Sequence, residues 1–198
     1  MPRADVTNVV IAGVGGQGII LASDVVARAA VCAGRDVKRS EIHGMAQRGG
    51  SVTSEIRFGR RVWSPVIADG EVDVLVALEI LEAARHAHRL REGGAIIASS
   101  LRIRPAVRPP GAPPYPLDID ERLRAAVDNL VLLDAPALAA QAGNARAANT
   151  VLLGALSCWL DLPPDAWRRA LEGSLRPQLL DANLRAFDLG RRAAGRPA

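Results

Sequence analysis

A chain of 198 residues, 49% hydrophobic and 23% charged, has the balance of one soluble globular domain with a full core. Only 3% of its residues are aromatic, and its basic residues, all Arg except Lys38, are scattered and form no stripe. The net charge of +4 therefore argues against a nucleic-acid surface, while still suiting an acidic or phosphate-bearing ligand.

The first element is the most informative. Val9 to Ala12 read as a buried strand, and Ile19, Ile20, Ala22, Val25, Val26, Ala29 and Ala30 form an apolar stripe at helical spacing. Between them Gly13, Gly15 and Gly18 fit G-x-G-x-x-G, with Gly16 and Gln17 inside the turn. Glycines let a ligand approach the backbone, and the free N–H groups opening the helix favour a phosphate. The same glycines would also serve simply to pack helix against sheet.

Asp36 to Lys38 predict a short second strand. A nicotinamide-binding unit needs an acid at its end to hold the ribose hydroxyls. Lys38 and Arg39 stand there instead, which suits a phosphorylated ribose, as in NADP or coenzyme A; Glu41 keeps an NAD reading open. Ser40 to Ser51 then predict a polar, glycine-rich loop. Glu41 and His43 would make an acid–base pair, but no nucleophile or metal partner accompanies them, so no catalytic residue is assigned. Gln47, Arg48, Gly49, Gly50 and Ser51 would cradle an anion, or bend the chain into the next strand.

Val52 to Phe58 alternate as a half-exposed strand, and Arg61 to Val66 read as its return, a hairpin with Trp63 in core or interface. Asp73 to Leu78 predict a buried strand with Glu79 at its carboxyl end, as site residue or helix cap, before a helix from Leu81 to Leu90. His86 and His88 are two apart and share no helix face, so no metal site is expected. Gly93 and Gly94 end that helix before the strand Ala95–Ser99, and six prolines between 105 and 116 predict an irregular excursion. A helix over 120–128, the strand Leu130–Asp134, and helices over 135–142, 151–160, from Pro164 and over 181–189 complete the chain, with Trp159 and Trp167 packed between the last of them. The pattern predicts an α/β fold: a three-layer, Rossmann-like α/β/α domain over 1–190 with a mixed, mostly parallel sheet, and a flexible basic tail over 191–198. Cys32 and Cys158, far apart, read as reduced core residues of a cytoplasmic protein. No secretory leader is visible, and the longest apolar run, Val151 to Leu160, is too short to cross a bilayer.

These motifs carry a resemblance. Gly13-Val14-Gly15-Gly16-Gln17-Gly18, the whole of Ser40 to Ser51, Ser64-Pro65, Asn149 to Gly154, and Asn183, Phe187 and Gly190 together resemble the gamma-type subunit of 2-oxoacid:ferredoxin oxidoreductases, above all the small subunit of the indolepyruvate type. The resemblance covers nearly the whole chain except 101–120. It implies oxidative decarboxylation of a 2-oxoacid to an acyl-CoA, with electrons passed to ferredoxin. It also implies that thiamine diphosphate and iron–sulfur clusters sit on a large partner subunit. This chain would complete the assembly and help bind coenzyme A, through the glycine turn and the Ser40–Ser51 loop, with Lys38 or Arg39 meeting a phosphate by charge. A stand-alone NADP-dependent oxidoreductase and a nucleotide-sensing module remain as alternatives, and whether the chain alone forms a homodimer is open.

Overall fold

The computed structural model of the chain describes residues 6–43, 50–104, 111 and 114–195. Its elements run β1 (Val6–Val14), α1 (Ile19–Cys32), β2 (Asp36–His43), β3 (Ser51–Gly59), β4 (Val72–Ala77), α2 (Ile80–His86), β5 (Leu90–Ser99), α3 (Ile119–Ala126), β6 (Asn129–Leu133), α4 (Ala135–Gln141), α5 (Ala148–Ser157), α6 (Pro164–Ser174) and α7 (Pro177–Ala193). The strands form one sheet in the order β2-β3-β1-β4-β5-β6. β1, β4, β5 and β6 pair in parallel, and β3 pairs antiparallel with both β1 and β2. The expected α/β layering with a mixed, mostly parallel sheet is present.

Strand periodicity sorts side chains into two cores. Val9 and Ile11 of β1 join the cluster under α1 and α4 to α7, while Val10 and Ala12 join the opposite cluster under α2 and α3. β1 is thus covered on both faces, which explains its unbroken apolar run. The helices after β1 and β4 pack on opposite faces. The point between those strands is where the fold changes winding direction, and open α/β sheets bind ligands there.

Several expectations need correction. Arg61 to Val66 form no strand. β3 already spends both of its edges on β1 and β2, so nothing remains for a return strand to pair with. β2 is longer than expected and runs through Ser40, Glu41 and His43. An edge strand tolerates such polar residues because one side stays in water. The helix after β4 ends at His86 and passes through a 3-10 turn, Ala87–Arg89, straight into β5, so Gly93 and Gly94 lie inside a strand at a register shift. α7 starts at Pro177 and continues to Ala193, so Arg191 is helical and donates to the Ser157 hydroxyl. Trp167 is fully buried, 5.6 Å from the Phe187 ring, but Trp63 is on the surface, and so is Cys32.

Candidate functional site

The glycine turn closes β1 and opens α1, and its own side chains fix its shape. Gln17 folds back into the turn: its Oε1 accepts from the Val14 amide at 2.7 Å and its Nε2 donates to the Leu78 carbonyl at 2.9 Å. One side chain thereby ties the ends of β1 and β4 together. Gly13 leaves room for it, since a Cβ there would lie 2.8 Å from Gln17 Oε1. Gly18, at φ +79°, caps α1, and its carbonyl accepts from Asn149 Nδ2 at 3.2 Å. Gly13, Gln17 and Gly18 therefore shape the turn, and the packing expectation describes them well.

Gly16 is different. Its φ of +102° points the missing side chain into open space, with nothing within 4 Å of where a Cβ would be. The Gly16 and Gly18 amides donate to no backbone acceptor among the described residues. The first N–H groups of α1 have no intrahelical partner and no capping side chain. The helix also has no acid in its first turn, so its positive end is not neutralised from within. Such an open, uncapped helix start at the carboxyl end of β1 is an arrangement that can hold an anion.

The start of β3 joins it. Gly50 accepts from the Gly15 amide at 2.9 Å, and Ser51 pairs with Val14. The Ser51 hydroxyl donates to Glu82 Oε2 at 2.5 Å, and Arg85 Nη1 reaches Glu82 Oε1 at 2.5 Å. Glu82 is almost wholly buried. Burial by itself would raise its pKa, but His86, Ser51 and the Arg85 charge outweigh this and hold the carboxyl below the ordinary glutamate value. Arg85 is half exposed, so Glu82 fixes a guanidinium at the mouth of a narrow crevice lined by Val14, Ser51, Glu79, Leu81 and Ile103. Glu79 caps α2, accepting from the Leu81 and Glu82 amides, and it also accepts from the Ile103 amide and the Tyr115 hydroxyl. Burial and that bond to Glu79 push the Tyr115 pKa well up, keeping the phenol protonated.

The register separates the remaining expected residues from this crevice. Lys38 and Arg39 do not end β2 but lie in its first half, level with Asn8 and Val9, near the far end of the sheet from the turn. Lys38 pairs with Asp36 at 3.0 Å, and Arg39 with Asp24 and Glu41. Both therefore stand back along the sheet from the glycine turn, each held by carboxylates of this chain. Ser40 and Glu41 are likewise set back along β2. His43 is level with Gly13 but two strands away, roughly 10 Å at ordinary strand spacing. Its side chain, with Gln47, Arg48 and Gly49, lies outside the described residues. Among the described residues no cluster of three His, Cys, Asp or Glu side chains suits a metal ion.

Glu82, Arg85 and Tyr115 were not singled out in the sequence. Spacing offered a signal for two of them: with Glu79 at a strand's carboxyl end, Glu82 and Arg85 follow at successive helical turns and so share its face. Tyr115 had none, because only folding brings it to Glu79, 36 positions away in sequence.

Fold and site together define an α/β domain with an open glycine turn at its winding switch point. The chain belongs to the pyruvate ferredoxin/flavodoxin oxidoreductase family, whose pattern matches residues 8–193. It is 37% identical over 193 residues to indolepyruvate oxidoreductase subunit IorB of Thermococcus kodakarensis, covering 94% of this chain and 95% of that one. The keto/oxoacid ferredoxin oxidoreductase gamma subunit of Geobacter sulfurreducens superposes with a TM-score of 0.74 at 25% identity, over 96% of this chain and 97% of that one. The 2-oxoglutarate:ferredoxin oxidoreductase of Magnetococcus marinus, solved with 2-oxoglutarate, coenzyme A and succinyl-CoA bound, has the same fold at a TM-score of 0.71 and 22% identity, covering 98% of this chain but 32% of that chain.

Proposed function

We propose that this chain is the small, non-redox subunit of a 2-oxoacid:ferredoxin oxidoreductase of the indolepyruvate type, and that its glycine turn, at the switch point, receives a phosphate of coenzyme A. The observation that carries the ligand reading is the open space over Gly16, beside which the Gly16 and Gly18 amides have no backbone acceptor among the described residues and the start of α1 has no capping side chain. The similarity to the IorB subunit supports the reaction class.

The reaction converts an aryl pyruvate and coenzyme A to an acyl-CoA and carbon dioxide, passing two electrons to ferredoxin. Thiamine diphosphate, which supplies carbanion stabilisation when bound, and the iron–sulfur clusters belong in this reading to the large partner subunit. The contribution of this chain is positional. The amides of Gly16, Gly18 and the first turn of α1 hold the phosphate, and Arg85 adds a charge whose direction Glu82 sets. Gln17 and Asn149 keep the turn in shape, so little ordering is needed when the ligand arrives. Two unpaired cysteines suit a reducing, cytoplasmic setting.

Anaerobic isolation of the protein from its native cells tests the assembly. The expected result is a large partner carrying iron, sulfide and thiamine diphosphate, and turnover of aryl pyruvates that depends on coenzyme A. A colourless chain that survives mild isolation alone would refute the subunit reading, and titration with nicotinamide and other nucleotides would then separate a dehydrogenase from a sensor.

A further inference from the structure

Glu79, buried at the carboxyl end of β4, divides its two carboxylate oxygens between different parts of the chain. Oε2 accepts from the Leu81 and Glu82 amides at 2.8 and 3.1 Å and so caps α2. Oε1 accepts from the Ile103 amide at 3.1 Å and from the Tyr115 hydroxyl at 2.5 Å. A cap needs one oxygen only, and the second gathers both ends of the segment between β5 and α3. Other bonds fasten the same ends. The Ile80 amide donates to the Leu101 carbonyl at 3.1 Å, and Arg102 Nη2 reaches Asp120 Oδ1 at 2.8 Å and the Leu117 carbonyl at 3.3 Å. The Tyr115 ring packs on the core under α2 and α3. Burial and the bond to Glu79 keep its phenol protonated, so it remains a donor.

The helix that Glu79 caps is only seven residues long, Ile80 to His86. A helix this short is not stable by itself in water, so its cap and its packing decide where it stands. Arg85 lies on its second turn. The Arg85 guanidinium shares the crevice with Val14, Ser51 and Ile103, and the space left there is about 20 Å³, the room of a single water molecule. With so little slack, a shift at the start of α2 moves Arg85 against Ser51 and the end of β1.

We infer that Tyr115 is a positioning residue for the phosphate ligand: by sharing Glu79 with the start of α2 it holds Arg85 beside Ser51 and the glycine turn, an inference that rests on the coenzyme A reading proposed above. Tyr115 itself touches no ligand. Its effect passes through a charge-assisted bond to Glu79 and then through the short helix. A tie that merely fastened the segment would act on stability and leave ligand affinity alone. The Arg102–Asp120 pair is such a tie, since it holds the same segment without bonding to Glu79.

The test uses the assembled enzyme and reads KM for coenzyme A and kcat separately. Arg85→Ala should raise that KM about tenfold. Tyr115→Phe, which keeps the ring and removes only the donor, should raise it about threefold with kcat unchanged, and an unchanged kcat shows fold and assembly intact. Arg102→Ala should leave both at their wild-type values. Adding Tyr115→Phe to Arg85→Ala should raise KM no further, because the hydroxyl acts through the guanidinium. A wild-type KM in Tyr115→Phe would overturn the positioning role, as would an equal rise in Arg102→Ala or an additive effect in the double variant. A wild-type KM in Arg85→Ala would overturn the coenzyme A reading itself, and the two failures are therefore distinguishable.

Discussion

Gly16 and Gly18 occupy one turn yet answer to different constraints. Both have positive φ, which a side chain adopts only with strain of about 1–3 kcal/mol. At Gly16 that strain is the whole cost, because no atom stands in the way. At Gly18 a Cβ would also meet Asn149 Nδ2 at 2.6 Å and disturb its hydrogen bond to the turn. Gly18→Ala should therefore destabilise the fold by about 2–4 kcal/mol and Gly16→Ala by about 1–3 kcal/mol. In the assembled enzyme, Gly16→Ala should raise KM for coenzyme A several-fold. Denaturant unfolding and steady-state kinetics check the pair, and a Gly16→Ala enzyme with unchanged KM would return the turn to packing alone. Glu82 poses a residue-scale question of charge. Its pKa is lower in the folded protein than the ordinary value of 4.5, so its ionised form stabilises the fold above that value. The stabilisation disappears as pH falls below 4.5 and through the folded pKa. Glu82→Gln should be less stable than wild type at neutral pH, and the difference should narrow toward pH 3. Thermal melts across that range measure it. A gap that stays constant would mean that the charge of Glu82 contributes nothing.

At the scale of elements, α5 and α7 cross with their backbones in contact. A Cβ on Gly154 would lie 1.9 Å from the Phe187 carbonyl oxygen, and one on Gly190 would lie 1.8 Å from that of Val151. Neither obstacle is a flexible side chain, so one helix must move. The same crossing is pinned by Thr150, whose hydroxyl donates to Asn183 Oδ1 at 2.7 Å, while Asn183 Nδ2 donates to the Leu179 carbonyl. Gly154→Ala should cost at least ~3 kcal/mol, at or beyond the upper end for overpacked cores. Urea unfolding would show this as a lowered midpoint, and a wild-type midpoint would mean the helices part easily. Asn149, Thr150, Asn183, Phe187 and Gly190, which carried the family resemblance without an evident reason, are the parts of this crossing and its tie to the glycine turn. Two of the mispredicted elements share one cause. The failed return strand at 61–66 and the extended β2 both depend on which strand edges are already taken, and local periodicity holds no such information.

Across the whole molecule, polar groups gather at one end of the sheet. The carboxyl ends of β1 and β4 hold the open Gly16 turn with Ser51, Glu82 and Arg85, and the opposite end carries the exposed Trp63 segment. The sequence by itself determined the α/β class, the buried runs of β1, β4 and β5, the glycine turn and the family, because apolar period and glycine spacing are local properties that survive any choice of partners. It also singled out Gly50 and Ser51, which folding does bring to the turn. Only the tertiary structure decided which polar residues meet. Inserting β3 between β2 and β1 set Lys38 and Arg39 back from the glycine turn, and placing α2 opposite α1 brought Glu82 and Arg85 beside Ser51. Strand order and register are set by the sum of long-range packing over both cores, and no window of sequence contains that sum.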